Sequence, residues 1–136
     1  MQIYKNILVT LDCSEVDGPI IAHVSALALQ NNARVVLLHV IHAHTLDQDR
    51  VLRNEASITL EGRLSSLRTQ GIDASSIIRS GEPDTEILRE IEGGGYDLVA
   101  MATHGHTFIG DILFGSVSES LKHKITIPLL LLKSRN

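Results

Sequence analysis

The chain predicts an open α/β fold, and three observations carry the prediction. Short continuous apolar runs recur along its 136 residues, as in "NILV", "RVVLL", "YDLVAMA" and "IPLLLL". Such runs suit strands buried on both faces. Between them lie longer segments with apolar residues at helical spacing. Strands that alternate with helices require right-handed crossovers and a mostly parallel sheet with helices on both faces.

Each element has its own signal. Residues 3–12, "IYKNILVTLD", read as the first strand around Ile7, Leu8 and Val9. In the next segment, Ser14 and Asp17 suit a helix cap and Pro19 its first turn. Ile20, Val24, Leu27 and Ala28 supply the apolar face, and "NNA" ends the helix. Residues 34–42, "RVVLLHVIH", are the second strand, and "HAHTLDQD" reads as an irregular polar connection. A second helix is expected from Arg50 to Gln70 on Leu52, Ile58, Leu60, Leu64 and Leu67, with Gly71 as its stop. Residues 72–81, "IDASSIIRSG", are a less apolar third strand, suited to an edge. "EPDTEILREIEGGG" is a helix with Pro near its start and a triple-Gly stop. Residues 96–103 form the fourth strand, a glycine-bearing loop follows, and a short helix begins near Ser116. Residues 127–133 are the fifth strand. No internal repeat, linker or low-complexity tract interrupts this order, so one domain over residues 1–136 is expected.

Composition narrows the function. Hydrophobic residues make up 43% of the chain and aromatic residues 3%, so the core is aliphatic and base-stacking platforms are scarce. Formal net charge is −4, with Lys and Arg scattered, which argues against a nucleic-acid groove or a basic membrane face. The lone Cys13 excludes an internal disulfide and a Cys-rich zinc site. No apolar run reaches the ~20 residues of a membrane span, and the N-terminal run lacks the long apolar core of a signal peptide. A cytoplasmic protein is expected.

Ligands of open parallel sheets bind beyond the carboxyl ends of the strands, where the strand order switches. Those ends carry "TLDCS", "HVIHAH", "RSGEP" and "MATHGH". Asp12 can meet a ribose hydroxyl or a nucleotide-bound cation, or can simply form a turn before the helix. In "MATHGHTFIGDILFGSVSES", Gly105, Gly115 and Ser116 frame a segment that feeds a helix. Glycines let backbone N–H groups approach phosphate oxygens, and a helix N-terminus adds partial positive charge. Ser116 and Ser118 add hydroxyls, so an acidic protein can hold a polyanion without a lysine cluster. Ordinary turn glycines would account for the same spacing. A metal site is not expected from the seven histidines: of His39, His42 and His44 only the last two share a face, and supporting cysteines are missing. His104 and His106 lack an identifiable nucleophile and orienting partner for base catalysis.

Taken together, these residues resemble the universal stress protein family over residues 3–134. Its nucleotide-binding members carry Gly, two residues, Gly, nine residues, then Gly with Ser or Thr. This chain has Ala102, Thr103, His104, Gly105, nine residues, Gly115 and Ser116. "NILVTLDCS", "LLHVI", "SGEP", "YDLVAMATHG", "LFGSVSES" and "IPLLLLK" are also similar to the family. The resemblance implies a Rossmann-like, adenine-nucleotide-binding sheet in order 3-2-1-4-5. It implies a homodimer through residues 127–133, the last strand pairing antiparallel with its twin, and an unidentified regulatory protein partner. Its ligand would be ATP with Mg2+ or Mn2+, with ADP or AMP as alternatives. Carried over by position, Thr10 and Leu11 lead to Asp12, the ribose- and metal-facing acid. Val40 would meet adenine through its backbone, and Met101, Ala102 and Thr103 would line base and ribose. Gly105, Gly115, Ser116, Val117 and Ser118 would hold the phosphates, with His104 and His106 inside the wrap.

Three positions depart from the family pattern. Thr10 replaces a frequent Pro, Phe108 a frequent Gly, and Ala102 the first motif glycine. Ala102 would be disfavoured at positive φ but tolerated at the end of an extended strand, and "VAMAT" reads as strand. The expected role is a stress-response regulator that binds ATP, with a nucleotide-independent dimeric adaptor of the same fold as the alternative. Dedicated catalysis is not expected. The Ser-Gly-Gly loop of adenylating relatives is absent after strand 1, and "IIRSG" supplies no receiver-type aspartate. Slow ATP hydrolysis, assisted by bound metal and by Asp12 or His106, stays open.

Overall fold

A computed structural model describes residues 2–14, 17–103 and 114–133. The elements run β1 (Asn6–Thr10), α1 (Asp17–Asn31), β2 (Arg34–Ile41), α2 (Leu46–Thr69), β3 (Ala74–Ser80), α3 (Pro83–Gly94), β4 (Leu98–Thr103), α4 (Phe114–Lys122) and β5 (Leu129–Lys133). The sheet has the order β3-β2-β1-β4-β5, and every pairing is parallel. This is the predicted fold and strand order.

Strand alternation sorts the core into two layers. Ile7, Val9 and Leu11 face one side, where Ile20 and Val24 of α1 and Leu60, Leu64 and Leu67 of α2 cover the sheet. Leu8, Val36, Leu38, Val99 and Met101 face the other, beneath Ile87 and Ile91 of α3 and Val117 and Leu121 of α4. The central strands are buried on both faces, which accounts for their continuous apolar runs. β3 is at one edge and is only partly buried, as its composition suggested.

Three local expectations change. The stretch read as an irregular connection contains the start of α2, at Leu46 rather than Arg50. Thr45 caps this helix, its Oγ1 accepting from the Gln48 amide at 3.0 Å, while Gln48 Oε1 accepts from the His44 amide at 2.7 Å. This Thr-x-x-Gln arrangement is a capping box displaced by one residue, and it offsets the polarity of the first turn. Asp17 does not cap α1 but turns back toward the end of β1. Lastly, α4 begins at Phe114, so Gly115 and Ser116 belong to its first turn rather than to a preceding loop.

Behind β3, an ionic cluster ties α3 to the sheet. Arg79 Nη2 lies 2.6 Å from Glu90 Oε1, and the Tyr96 hydroxyl donates to Glu90 Oε2 at 2.7 Å. Glu86 sits between Arg79 at 3.7 Å and Arg89 at 2.8 Å. Gly81 has φ +145, and a Cβ there would come within 3.0 Å of the Glu86 side chain. That close approach gives this turn two reasons to hold glycine.

Candidate nucleotide crevice

The carboxyl ends of β1 and β4 meet where the chain order reverses, since β1 pairs with β2 on one side and β4 on the other. This switch point is where an open parallel sheet leaves a crevice. Thr10 pairs in register with Leu38 and Met101. It is 3% exposed, and its Oγ1 has no hydrogen-bond partner among the described residues. Leu11 is held to β2 from both its ends: its amide donates to the Leu38 carbonyl at 2.8 Å, and its own carbonyl lies 2.8 Å from His39 Nδ1. That contact makes Nδ1 the protonated ring nitrogen of His39.

Strand β1 ends at Thr10, so Asp12 lies just beyond it at the rim, half-buried. Asp12 Oδ1 accepts from the Ser14 amide at 3.0 Å and the Ser14 hydroxyl at 2.7 Å, an Asx-type turn. Cys13 follows with φ 64, a left-handed conformation that costs free energy for a residue with a side chain. Asp17 compensates. Its carboxyl accepts from the Asp12 amide at 3.2 Å and the Cys13 amide at 2.8 Å. Burial first, then a hydrogen bond with Asp12 and that residue's charge, push the Asp17 carboxyl up to about 7. Asp17 therefore keeps its proton to near neutrality beside the Asp12 turn. Burial and the same two acids push the Cys13 thiol up to about 12.

On the β4 side, Met101 is fully buried and Ala102 is 4% exposed. Ala102 pairs in register with Leu132 and is not among the positive-φ residues. Its methyl packs in the core layer of Ala100 and Leu130. Its backbone is therefore extended, a conformation that accepts alanine as well as glycine. Thr103 ends β4. His104, Gly105, His106 and Phe108 lie outside the described residues. Val117 and Ser118 are buried on α4, downstream of Gly115 and Ser116.

The fold brings the β1, β2 and β4 candidates to one sheet end, and α4 follows β4 in the chain. Val40 is partly buried on the layer of Met101 and Val117. The histidines in and after β2 diverge: His39 turns to the Leu11 carbonyl, whereas His42 and His44, beyond the strand, meet ring edge to face at 5.4 Å. Among the described residues, no group of three or more His, Cys, Asp or Glu could hold a metal ion. The residues present fit an adenine nucleotide: an acid at the rim, an apolar floor of Val40 and Met101, and glycine and serine in the first turn of α4. Sequence reasoning missed His39 and Asp17 as organisers of the Asp12 turn. The His39–Leu11 contact joins separate strands and has no local signal, and Asp17, at a helix start, reads as a cap rather than as a partner for the turn four and five residues before it.

The sequence profile of the universal stress protein family matches residues 3–133. The chain belongs to the universal stress protein family. Among its relatives is universal stress protein MJ0577 of Methanocaldococcus jannaschii, 29% identical over 98% of this chain and 97% of that protein. A solved structure of MJ0577 superposes with a TM-score of 0.84 and 33% identity, covering 98% of both chains. An Archaeoglobus fulgidus family member solved in complex with dAMP superposes with a TM-score of 0.74 at 22% identity, over 97% of this chain and all of that one. A family member in complex with cAMP gives 0.73 at 16%, over 95% and 96% of the two chains. At these lower identities the likeness is one of fold. No helix among the described residues is long and apolar enough to cross a membrane.

Proposed function

We propose that this protein is a stress-response regulator that binds an adenine nucleotide, ATP with Mg2+ or Mn2+ in the first instance, in the crevice between β1, β4 and α4. The reading takes residues 1–136 as one ligand-binding domain in the cytoplasm. The observation that supports it is the regular strand geometry of Ala102, a position that accepts alanine ahead of the Gly105–Gly115–Ser116 spacing in the sequence. The cAMP and dAMP bound by structural neighbours support the ligand class.

In this reading Asp12 faces the ribose and the nucleotide-bound cation. Val40 meets the base through its backbone, and Met101, Ala102 and Thr103 line base and sugar. Gly105, Gly115, Ser116, Val117 and Ser118 hold the phosphates, with His104 and His106 beside them. The cation would neutralise phosphate charge, and this chain's residues bind and orient. Nucleotide occupancy would set the conformation offered to a regulatory protein partner. The protein acts as a dimer joined through β5.

Calorimetric titration of the purified chain with ATP and MgCl2 tests the reading. Saturable heat near one nucleotide per chain is expected. No heat and no saturation up to millimolar nucleotide would defeat it, and an Ala102→Gly variant that gains ATP binding where the native chain has none would favour a nucleotide-independent dimeric adaptor of the same fold.

A further inference from the structure

We infer that the Thr10 side-chain hydroxyl reads the base of the bound nucleotide. This rests on the proposed crevice and adds a specificity-determining residue to it. By the two-residue period of β1, Thr10 shares the face of Leu8. Its register neighbours are Leu38 and Met101, and Val40 and Val117 belong to the same layer. Every one of these side chains is apolar. Among them Thr10 Oγ1 is buried without a hydrogen-bond partner in the described residues.

A buried hydroxyl in such a place is destabilising, and valine would fill the same β-branched shape without the cost. The hydroxyl lies at the carboxyl end of the central strand, beside the switch point, where a ligand enters. It therefore finds its partner when the crevice fills. The aliphatic surroundings favour a flat base over a sugar, whose hydroxyls belong with the polar rim at Asp12. A hydroxyl both donates and accepts, so it can serve a ring nitrogen or an exocyclic amine. In the proposed function the phosphate contacts belong to residues later in the chain than Thr103, not to β1.

The test is Thr10→Val beside Thr10→Ser, each titrated with ATP–Mg2+ and with adenosine, and each melted without ligand. For Thr10→Val the ligand-free Tm should rise by about 3–5 °C, while affinity for both ligands falls by the same factor, about tenfold. Thr10→Ser should bind within about twofold of the native chain, because it keeps the hydroxyl. Native-like binding by Thr10→Val overturns the inference, as does a Tm that fails to rise. A loss confined to ATP and absent for adenosine also overturns it, since the hydroxyl would then serve the phosphates. If the native chain binds neither ligand, the proposed function itself fails and the inference falls with it. If the native chain binds and Thr10→Val matches it, only the inference fails.

Discussion

Asp17 is 2% exposed, and its carboxyl is held protonated well above the ordinary range by burial and by Asp12. The folded chain therefore keeps a proton that the unfolded chain releases near pH 4. The stabilisation is fully present below about pH 4 and is lost as pH rises toward 7, with a limiting slope of about 1.4 kcal/mol per pH unit. Urea unfolding should show stability decreasing across that window, and Asp17→Asn should flatten the decrease. An unchanged slope in the variant would mean that another group titrates. Cys13, beside it, is set against reactivity. With its thiol pushed up to about 12, alkylation of the native protein at neutral pH should be on the order of a hundredfold slower or more than that of the urea-unfolded chain. Equal labelling rates in the two states would contradict the buried turn around Asp12.

At the scale of elements, the ionic cluster behind β3 and the cap of α2 each tie a helix down through named polar contacts. Tyr96→Phe removes the hydroxyl that donates to Glu90 at 2.7 Å and leaves a 7% exposed carboxylate with one partner fewer. A loss of about 1–2 kcal/mol in unfolding free energy is expected. Thr45→Ala should cost about 1 kcal/mol, because the Gln48 amide then loses its acceptor. Both changes are read from urea midpoints at constant m-value. The strand and helix order was legible in the sequence because each element advertises a local period. The start of α2 was not read, since "HAHTLDQD" has no apolar stripe; the Thr45–Gln48 spacing was the available signal. Strands β1 and β5 are shorter than the runs of residues 3–12 and 127–133 that announce them.

At the scale of the molecule, β3 and β5 are the two sheet edges. β5 is only partly buried, and Leu131 is 42% exposed on a strand of four leucines. An apolar edge strand is an aggregation hazard unless it is paired or covered. The proposed dimer through β5 removes that hazard. Light scattering coupled to size exclusion should give twice the 14.9 kDa chain mass, and Leu131→Glu should shift the protein to monomer. A native chain that runs as a monomer at micromolar concentration would remove the dimer from the proposal. Pro128 lacks an amide hydrogen, yet its carbonyl accepts from the Val99 amide at 3.0 Å, so β5 enters the sheet without a gap.

From its own residues the sequence determined the alternation of strands and helices, the parallel sheet covered on both faces, and the strand ends where a ligand would gather. Periodicity and turn chemistry act over a few residues, so one chain displays them directly. Tertiary structure decided the rest: that Ala102 stays extended, that Asp17 folds back on the Asp12 turn, that His39 anchors Leu11, and that the Thr10 hydroxyl is left without a partner. The His39 contact and the isolation of the Thr10 hydroxyl depend on atoms brought together from separate segments, and Ala102 and Asp17 are fixed by the sheet and helix they belong to. Thr10 illustrates the difference: its β-branched shape already suits a strand, but only the apolar neighbours supplied by β2, β4 and α4 make its hydroxyl an unmet demand.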